Sequence, residues 1–338
     1  MRVMITGATG FIGGHVTRLL IERGVDVIAL VRSPEKLTDH MASFGVPTPT
    51  HVIGDMTDDH AVAAALDGAD AVVHCAAIVS LDLRDNARMA AQNLAGTRAV
   101  LGQAAERGLD PIVHLSSTSA LFAPGAGPLT VDHPPTVVNF GYGRAKAATE
   151  TFARSLQDDG RPVAIVYPSG VIGPPAGDAF GETGEGMSGF LSSGMMPTRR
   201  AAVSVIDVRD LAAIIAALLV PGHGPRRVMC AGHFLDMGAL AEIYRALTGR
   251  RFPIAPVHPS LLRLAGRTLD RIRTRVPFSS PMNEEGMTVV TRWEGTVDSD
   301  LAGLDVVLRG ATASFHDSIL AWRNAGLVTD KQIGALAG

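Results

Sequence analysis

The fold of this chain is set near the N-terminus by the stretch Arg2-Val3-Met4-Ile5-Thr6-Gly7-Ala8-Thr9-Gly10-Phe11-Ile12-Gly13. A short β-branched run precedes three glycines spaced G-x-x-G-x-x-G, and an amphipathic helix is predicted over residues 11–23. Gly7 permits a tight turn, Gly10 lets the backbone approach a ligand, and Gly13 lets the helix pack on the strand. Because free N–H groups at a helix start bind phosphate, the stretch predicts a dinucleotide-binding turn; an ordinary strand–helix turn is the alternative. The expected cofactor contacts are Gly7, Thr9, Gly10, Phe11, Ile12 and Gly13.

Short apolar strands alternate with predicted helices through the first half of the chain. The predicted strands are residues 2–5, 25–31, 50–53, 71–74, 112–115, 163–167 and 227–230, and the predicted helices are 11–23, 58–66, 86–107, 142–158 and 207–220. Strands this apolar are buried on both faces of a sheet. The prediction is therefore an α/β fold with a doubly wound parallel sheet of the Rossmann type and a smaller, interleaved C-terminal substrate lobe. We assign residues 1–170 and about 204–230 to the sheet domain, and about 171–203 and 231–338 to the lobe.

Composition and charge narrow the class of protein. The 338 residues are 46% hydrophobic and carry a net charge of -3, which gives no indication of a nucleic-acid partner. Two cysteines exclude a disulfide framework and favour a reducing compartment, so a cytoplasmic location is expected. The first residues already have strand character, which predicts no signal peptide. The most apolar run, residues 211–220, is too short to span a membrane, and no spacing typical of a metal site occurs.

The end of the second predicted strand bears on the choice of cofactor. A carboxylate there commonly binds the ribose hydroxyls of NAD(H), whereas this chain has Arg32. A guanidinium pairs with a 2′-phosphate, so NADP(H) is predicted over NAD(H), with Ser33 and Lys36 assisting. A solvated surface arginine is the alternative. Further cofactor contacts are predicted after the next two strands, at Asp55, Met56, Cys75, Ala76 and Ala77.

A tyrosine and a lysine lie four residues apart on a predicted helix. Tyr142 and Lys146 share one helix face, and an ammonium near a phenol favours its ionised form, so Lys146 is expected to lower the pKa of Tyr142. The fifth strand ends in the hydroxyl cluster Ser116-Ser117-Thr118, at the sheet edge where ligands bind in this fold. This combination predicts a site that interconverts a carbonyl and an alcohol.

Together these motifs resemble the extended branch of the short-chain dehydrogenase/reductases. The resemblance covers nearly all of the first 230 residues and includes Asn93 in Asn93-Leu94-Ala95-Gly96-Thr97 and the segment Val205-Ile206-Asp207-Val208. It implies that Tyr142 is the acid–base, that Lys146 also binds the nicotinamide ribose, and that Thr118 is the catalytic hydroxyl, with Ser117 the second choice. Asn93 is implied near the active site, with bonding of local backbone the alternative. The segment implied to line the nicotinamide is Pro168 and Ser169, with Ser116 a further cofactor contact.

Departures from the family's sequence patterns indicate which of the family's reactions this chain catalyses. Thr118 is followed by Ser119-Ala120 rather than the Asp-Glu pair of the dehydratases, and Tyr167-Pro168-Ser169-Gly170 lacks the asparagine typical of the epimerases. The tail of the second strand, residues 30–34, is similar to dihydroflavonol reductases and 3β-hydroxysteroid dehydrogenases. We therefore predict an NADP(H)-dependent reductase or dehydrogenase of a hydrophobic ketone or aldehyde. The alternatives are a nucleotide-sugar epimerase with tightly bound cofactor and a non-catalytic dinucleotide-binding sensor.

A glycine-rich, apolar segment spans residues 173–197, and it is either a disordered loop or, as we expect, a mobile lid over the substrate. Predicted substrate contacts are Val79, Ala120, Val171, Met187, Phe190, Met195 and Met196. A basic stretch is interpreted as a solvated helix face rather than a membrane-binding surface, and comprises Arg263, Arg267, Arg271, Arg273 and Arg275. The family resemblance implies a homodimer through helices 86–107 and 142–158.

Overall fold

The computed structural model describes residues 1–79, 83–138, 140–273, 282–297 and 301–337, so Arg275 lies outside the described residues. The strands are β1 Arg2–Thr6, β2 Asp26–Val31, β3 Thr50–Ile53, β4 Ala71–His74, β5 Ile112–Leu115, β6 Val163–Pro168, β7 Gly170–Ile172, β8 Ala202–Asp207, β9 Arg226–Cys230 and β10 His233–Asp236. Seven of them form one sheet in the order β3-β2-β1-β4-β5-β6-β9, and every neighbouring pair is parallel. The predicted parallel sheet is confirmed.

Helices cover both faces of this sheet. The helices are α1 Phe11–Glu22, α2 Pro34–Ser43, α3 Asp59–Ala65, α4 Asn86–Glu106, α5 Gly141–Asp158, α6 Gly181–Ser193, α7 Val208–Ala217, α8 Met237–Thr248, α9 Pro259–Arg273, α10 Glu284–Arg292, α11 Ala311–Asn324 and α12 Asp330–Ile333. Val3 and Ile5 pack in the core formed with α1, α2 and α7, whereas Met4 between them packs in the core formed with α3, α4 and α5. This alternation confirms the doubly wound arrangement.

The order of the strands places a ligand site at one edge of the sheet. The chain runs outward from β1 to β3, then returns to β4 on the other side of β1, so the connections diverge at the carboxyl ends of β1 and β4. Such a switch point leaves a crevice between helices, which is where ligands bind in open parallel sheets. The glycine turn follows β1 at this point.

A second sheet of three strands builds the smaller lobe. β8 lies between β7, which is parallel to it, and β10, which is antiparallel. Residues 202–207 thus belong to the small sheet, and the chain returns to the large one with α7, which packs on α1, and β9. Within the ranges that the structure describes, no helix is both long and apolar enough to cross a membrane.

The segment predicted as a lid contains a helix. Residues 181–193 form α6, and its Met187 and Leu191 are buried in a core shared with Tyr244 and Trp322. Glycine is a poor helix former, so the six glycines between residues 173 and 189 concealed this helix in the sequence. Packing of one apolar face against the lobe stabilises it instead. A structureless segment over residues 173–197 is thus contradicted, whereas the mobile lid over the substrate stays a prediction.

Candidate active site

The glycine turn has the geometry that a dinucleotide requires. Gly7 has φ +78°, which side chains disfavour, and a Cβ on Gly13 would lie 2.2 Å from the Gly7 carbonyl oxygen. α1 starts at Phe11 directly after Gly10, whose position as N-cap has no side-chain hydrogen bond. The first N–H groups of α1 have no partner within the helix, and this helix start lines a cleft. The residues present therefore fit a pyrophosphate at the start of α1.

The cleft has a volume of about 520 Å³ and runs along the carboxyl ends of β1, β2, β4, β5 and β6. The predicted site residues that line it are Gly7, Thr9, Gly10, Phe11, Ile12, Gly13, Arg32, Lys36, Asp55, Met56, Cys75, Ala76, Ala77, Val79, Ser116, Ser117, Tyr142, Lys146, Pro168, Ser169 and Val171. The cleft thus brings the glycine turn, the end of β2 and the tyrosine–lysine pair into one surface.

Two cations mark the end of the cleft beside β2. Arg32 and Lys36 line it, and the Arg32 guanidinium lies 3.9 Å from the Asp55 carboxylate with its side chain 79% exposed. The predicted phosphate contact Ser33 has another role: its hydroxyl caps α2 by accepting from the Lys36 N–H at 3.1 Å. A serine before a helix that starts with proline is a strong capping signal, and Ser33 is not among the residues that line the cleft.

The opposite end of the cleft holds the tyrosine–lysine pair. Ser117 and Tyr142 both line the cleft, where the Ser117 side chain acts on the Tyr142 phenol, and Lys146 Nζ donates to the Leu115 carbonyl oxygen at 3.1 Å. Thr118, our first choice for the catalytic hydroxyl, starts a buried 3₁₀ turn and does not line the cleft. Ser117, our second choice, precedes that turn in extended conformation and lines the cleft together with Tyr142.

Burial dominates the ionisation of Tyr142 and Lys146. It raises the pKa of the Tyr142 phenol, the Ser117 side chain opposes this rise, and the negative charges of Glu182 and Glu285 add to it. Burial also lowers the pKa of Lys146 to about 8, although Cys75, Glu182 and Glu150 oppose that shift. The expected lowering of the Tyr142 pKa by Lys146 is not found, because the ammonium bonds to the Leu115 carbonyl and desolvation of the phenol is larger.

Residues 3–228 match the family described as "NAD dependent epimerase/dehydratase family". The chain belongs to this family. A relative over its whole length is the sterol demethylase protein B of Methylococcus capsulatus, 25% identical over 340 residues that cover 97% of this chain and 100% of the relative. A putative dihydroflavonol 4-reductase of Synechocystis is 31% identical over 216 residues, 62% of this chain and 60% of the relative. The chain spans about half of a 3-beta-hydroxysteroid dehydrogenase of Mycolicibacterium neoaurum, to which it is 29% identical over 184 residues, 51% of this chain and 48% of that protein.

Solved structures share the fold across both lobes. The structure called gox2253 superposes with a TM-score of 0.77 at 24% identity and covers 97% of this chain and 99% of its own. The UDP-glucose 4-epimerase of Thermotoga maritima superposes with a TM-score of 0.70 at 17% identity, covering 96% and 99%. At these identities the likeness concerns the epimerase/dehydratase fold alone.

The asparagine that the family resemblance implied near the active site bonds backbone instead. Asn93 Oδ1 accepts from the Ile78 N–H at 2.7 Å, and Asn93 Nδ2 donates to the Ile78 carbonyl at 2.8 Å. Asn93 is buried outside the cleft, while Ile78 lines it. The alternative role was therefore the right one: Asn93 holds the segment after β4 against the cleft.

Most of the predicted substrate contacts do not line the cleft of this epimerase/dehydratase family member. Val79 and Val171 line the cleft, but Met187 and Met196 are buried in the core of the small lobe, with Phe190 packed against it. Ala120 is buried in the 3₁₀ turn after Ser117, and Met195 is 47% exposed. Because α6 turns its apolar face to the lobe core, its methionine and phenylalanine side chains are structural.

Several cleft residues were not predicted from the sequence. They are Thr6, Leu30, Val31, Gly54, Ile78, Leu115, Ala179, Gly181, Glu182 and Thr183. Thr6 Oγ1 accepts from the Ala76 N–H at 3.1 Å and bonds to His74 Nδ1 at 2.8 Å, so it fixes the segment after β4. Glu182 and Thr183 start α6, and an acidic residue in a first helical turn was the available signal.

Proposed function

We propose that this protein is an NADP(H)-dependent reductase or dehydrogenase that interconverts a hydrophobic ketone or aldehyde and its alcohol. The observation that carries the proposal is that Tyr142, Ser117 and Lys146 line one cleft together with the glycine turn. A bound nicotinamide supplies or accepts a hydride. A tyrosine held next to a serine hydroxyl is suited to exchange the proton that accompanies it.

Ser117, Tyr142 and Lys146 have different roles in the proposed reaction at the carbonyl oxygen. In reduction, the hydroxyls of Ser117 and Tyr142 both donate hydrogen bonds to that oxygen, and the Tyr142 proton moves to it as negative charge develops. Burial keeps the phenol neutral, so Tyr142 carries the proton that reduction needs, and its raised pKa makes it a weaker acid than a solvent-exposed tyrosine. Lys146 is buried in the wall of the same cleft and would bind ribose hydroxyls of the cofactor. In oxidation the same proton travels back.

An apolar substrate is supported by the wall of the cleft and by relatives. Ile78, Val79 and Val171 are apolar residues of that wall; of the cations that line the cleft, Arg32 and Lys36 lie beside β2 and Lys146 lies on the helix of Tyr142. The whole-length relative is named sterol demethylase protein B, and other relatives are named for a 3β-hydroxysteroid dehydrogenase and a farnesyl-dihydroquinoline-oxide ketoreductase. These names support a bulky hydrophobic carbonyl compound or alcohol.

The activity is tested by following NADPH absorbance with a panel of steroid, aryl and terpenoid ketones. We expect turnover that falls by about 100-fold or more in Tyr142→Phe, because general acid–base catalysis contributes at least that much. Turnover of nucleotide sugars alone, with dinucleotide copurifying and no net cofactor oxidation, would establish the epimerase alternative. Binding of cofactor without any turnover would establish the sensor alternative.

Cofactor preference is tested separately with Arg32→Gln. A hydrogen bond to a charged group contributes about 1.5–3 kcal/mol, so the KM for NADPH should rise about 10- to 100-fold and that for NADH less than about 3-fold. Arg23→Gln, a matched change at an exposed arginine at the end of α1, should leave both values unchanged. Preference for NADH in the unaltered protein would overturn the proposed NADP(H) specificity.

A further inference from the structure

The helix that carries Tyr142 is capped by a residue from the small lobe. Phe140, the N-cap of α5, has no side-chain capping bond. Instead Glu285 Oε1 accepts from the Gly143 N–H at 2.9 Å, and Glu285 Oε2 accepts from the Tyr142 N–H at 3.3 Å. A carboxylate at this position satisfies two free donors and interacts favourably with the positive end of the helix.

Glu285 is itself held in place from α9. It is the second residue of α10, whose N-cap Asn283 accepts from the Gly286 N–H at 2.6 Å. Asp270 of α9 accepts from the Glu284 N–H at 2.8 Å, and Arg273 lies 3.3 Å from the Asp270 carboxylate. The start of α10 is thus fixed by bonds on both sides of Glu285.

The carboxylate also acts on the phenol electrostatically. The groups facing Tyr142 are Ser117 after β5, Glu182 at the start of α6, Lys146 on α5 itself and Glu285 on α10. The charge of Glu285 raises the pKa of Tyr142. Burial, followed by repulsion from Asp270, raises the pKa of Glu285 itself, which the N–H groups of Gly143 and Tyr142 oppose.

We propose that Glu285 is a positioning residue for the reaction: its carboxylate holds the first turn of α5, and with it the Tyr142 hydroxyl, against Ser117. This inference rests on the proposed function of Tyr142. Glu285 belongs to the C-terminal lobe and lies outside the residues that the family matches. The inference thus gives this lobe a role in positioning Tyr142, the proposed acid–base. Glu285 reaches no reacting atom itself.

The test compares Glu285→Ala and Glu285→Gln with the matched control Glu284→Gln. Glu284 is the preceding residue and pairs with Arg267 at the surface, where an ion pair contributes little. Glu285→Ala should lower kcat about 10- to 100-fold with the KM for NADPH changed less than about 3-fold, since only orientation is lost. Glu285→Gln keeps an acceptor and should recover most of kcat, while the alkaline limb of its kcat–pH profile moves to lower pH.

A second measurement does not depend on the substrate. Alkaline ultraviolet titration of the three tyrosines, with Tyr142→Phe subtracted, reports the ionisation of Tyr142 alone. It should move to lower pH in Glu285→Gln and stay in place in Glu284→Gln. Failure of all ketones with this titration shift intact would count against the proposed function and not against the placement of Glu285. An unchanged titration, or an unchanged kcat in a folded Glu285→Ala variant, would overturn the inference.

Discussion

Ser117 and Thr118 are neighbouring hydroxyl residues with different surroundings. The backbone of Ser117 is extended, with φ -167°, its hydroxyl accepts from the Ser119 N–H and its side chain lines the cleft with Tyr142, while Thr118 enters the 3₁₀ turn and is buried. A shift of one residue in extended chain reverses the side on which a side chain lies. The sequence predicts that a cluster of hydroxyl side chains follows β5, but it does not predict which of them faces the tyrosine.

The assignment of Ser117 predicts unequal effects of two substitutions. Ser117→Ala removes a donor to the substrate oxygen and should lower kcat about 10- to 100-fold, within the range for a lost donor to developing charge. Thr118→Val replaces a buried hydroxyl by a methyl of the same shape and should lower kcat less than about 3-fold. Steady-state kinetics on both variants, with circular dichroism to confirm folding, makes the comparison. The reverse order would restore Thr118 as the catalytic hydroxyl.

Contacts between residues of one helix could be predicted from the sequence, whereas contacts between residues of different elements could not. Tyr142 and Lys146 are four apart on one helix, so their proximity follows from helix geometry. The charges of Glu182 on α6 and Glu285 on α10 act on the same phenol from sequence distances that no local pattern reports. The contact of Asn93 with Ile78 could not be predicted either, because Ile78 lies on a loop whose course depends on the tertiary fold.

At the scale of elements, α1 and α6 use glycine for opposite purposes. In α1, a Cβ on Gly13 would meet backbone of the preceding turn at 2.2 Å, so close approach requires glycine there. In α6, a Cβ on Gly189 would meet nothing within 4 Å, so that glycine serves no packing role in this structure. The strand–turn–helix pattern around Gly13 was recognisable in the sequence. The four glycines of α6 hid its helical period, because only tertiary packing overcomes their low propensity.

This contrast predicts opposite responses to the same substitution. Gly13→Ala should destabilise the protein by about 1–3 kcal/mol through overpacking and weaken cofactor binding at least about 10-fold. Gly189→Ala should stabilise it by up to about 1 kcal/mol, because alanine favours the helical state. Thermal unfolding with and without NADP+ measures both effects. A Gly13→Ala variant that unfolds and binds cofactor like the unaltered protein would contradict the described turn.

At the scale of the whole molecule, buried neutral histidines make stability depend on pH. Burial lowers the pKa of His15 to about 4 and that of His74 to about 3, and it also lowers the pKa of His114. The rings of His74 and His114 stack with centroids 5.6 Å apart, and neither His114 nitrogen has a hydrogen-bond partner among the residues that the structure describes. Below about pH 6.5 these imidazoles bind protons in the unfolded chain but stay neutral in the folded protein. Acid therefore favours unfolding.

Stability should therefore fall as the pH decreases from about 6.5 towards 4, by up to about 1.4 kcal/mol for each unit of depressed pKa. His114→Leu removes one such imidazole and should show a shallower decline, with equal or greater stability at neutral pH because an unsatisfied polar group is lost. His223→Leu, at an exposed loop position, should leave the slope unchanged. Urea unfolding across this pH range gives the slopes, and identical slopes for all three proteins would refute the role of His114.

The two sheets are joined at a point that lies in the wall of the cleft. The chain passes from β6 to β7 through Ser169 alone, and from β9 to β10 through Ala231 and Gly232 alongside. Ser169 Oγ donates to the Ala231 carbonyl at 2.5 Å, which ties the two passages together. Pro168 and Ser169 also line the cleft. A ligand that rests on them would therefore contact the large sheet, the small sheet and the bond that joins them at the same place.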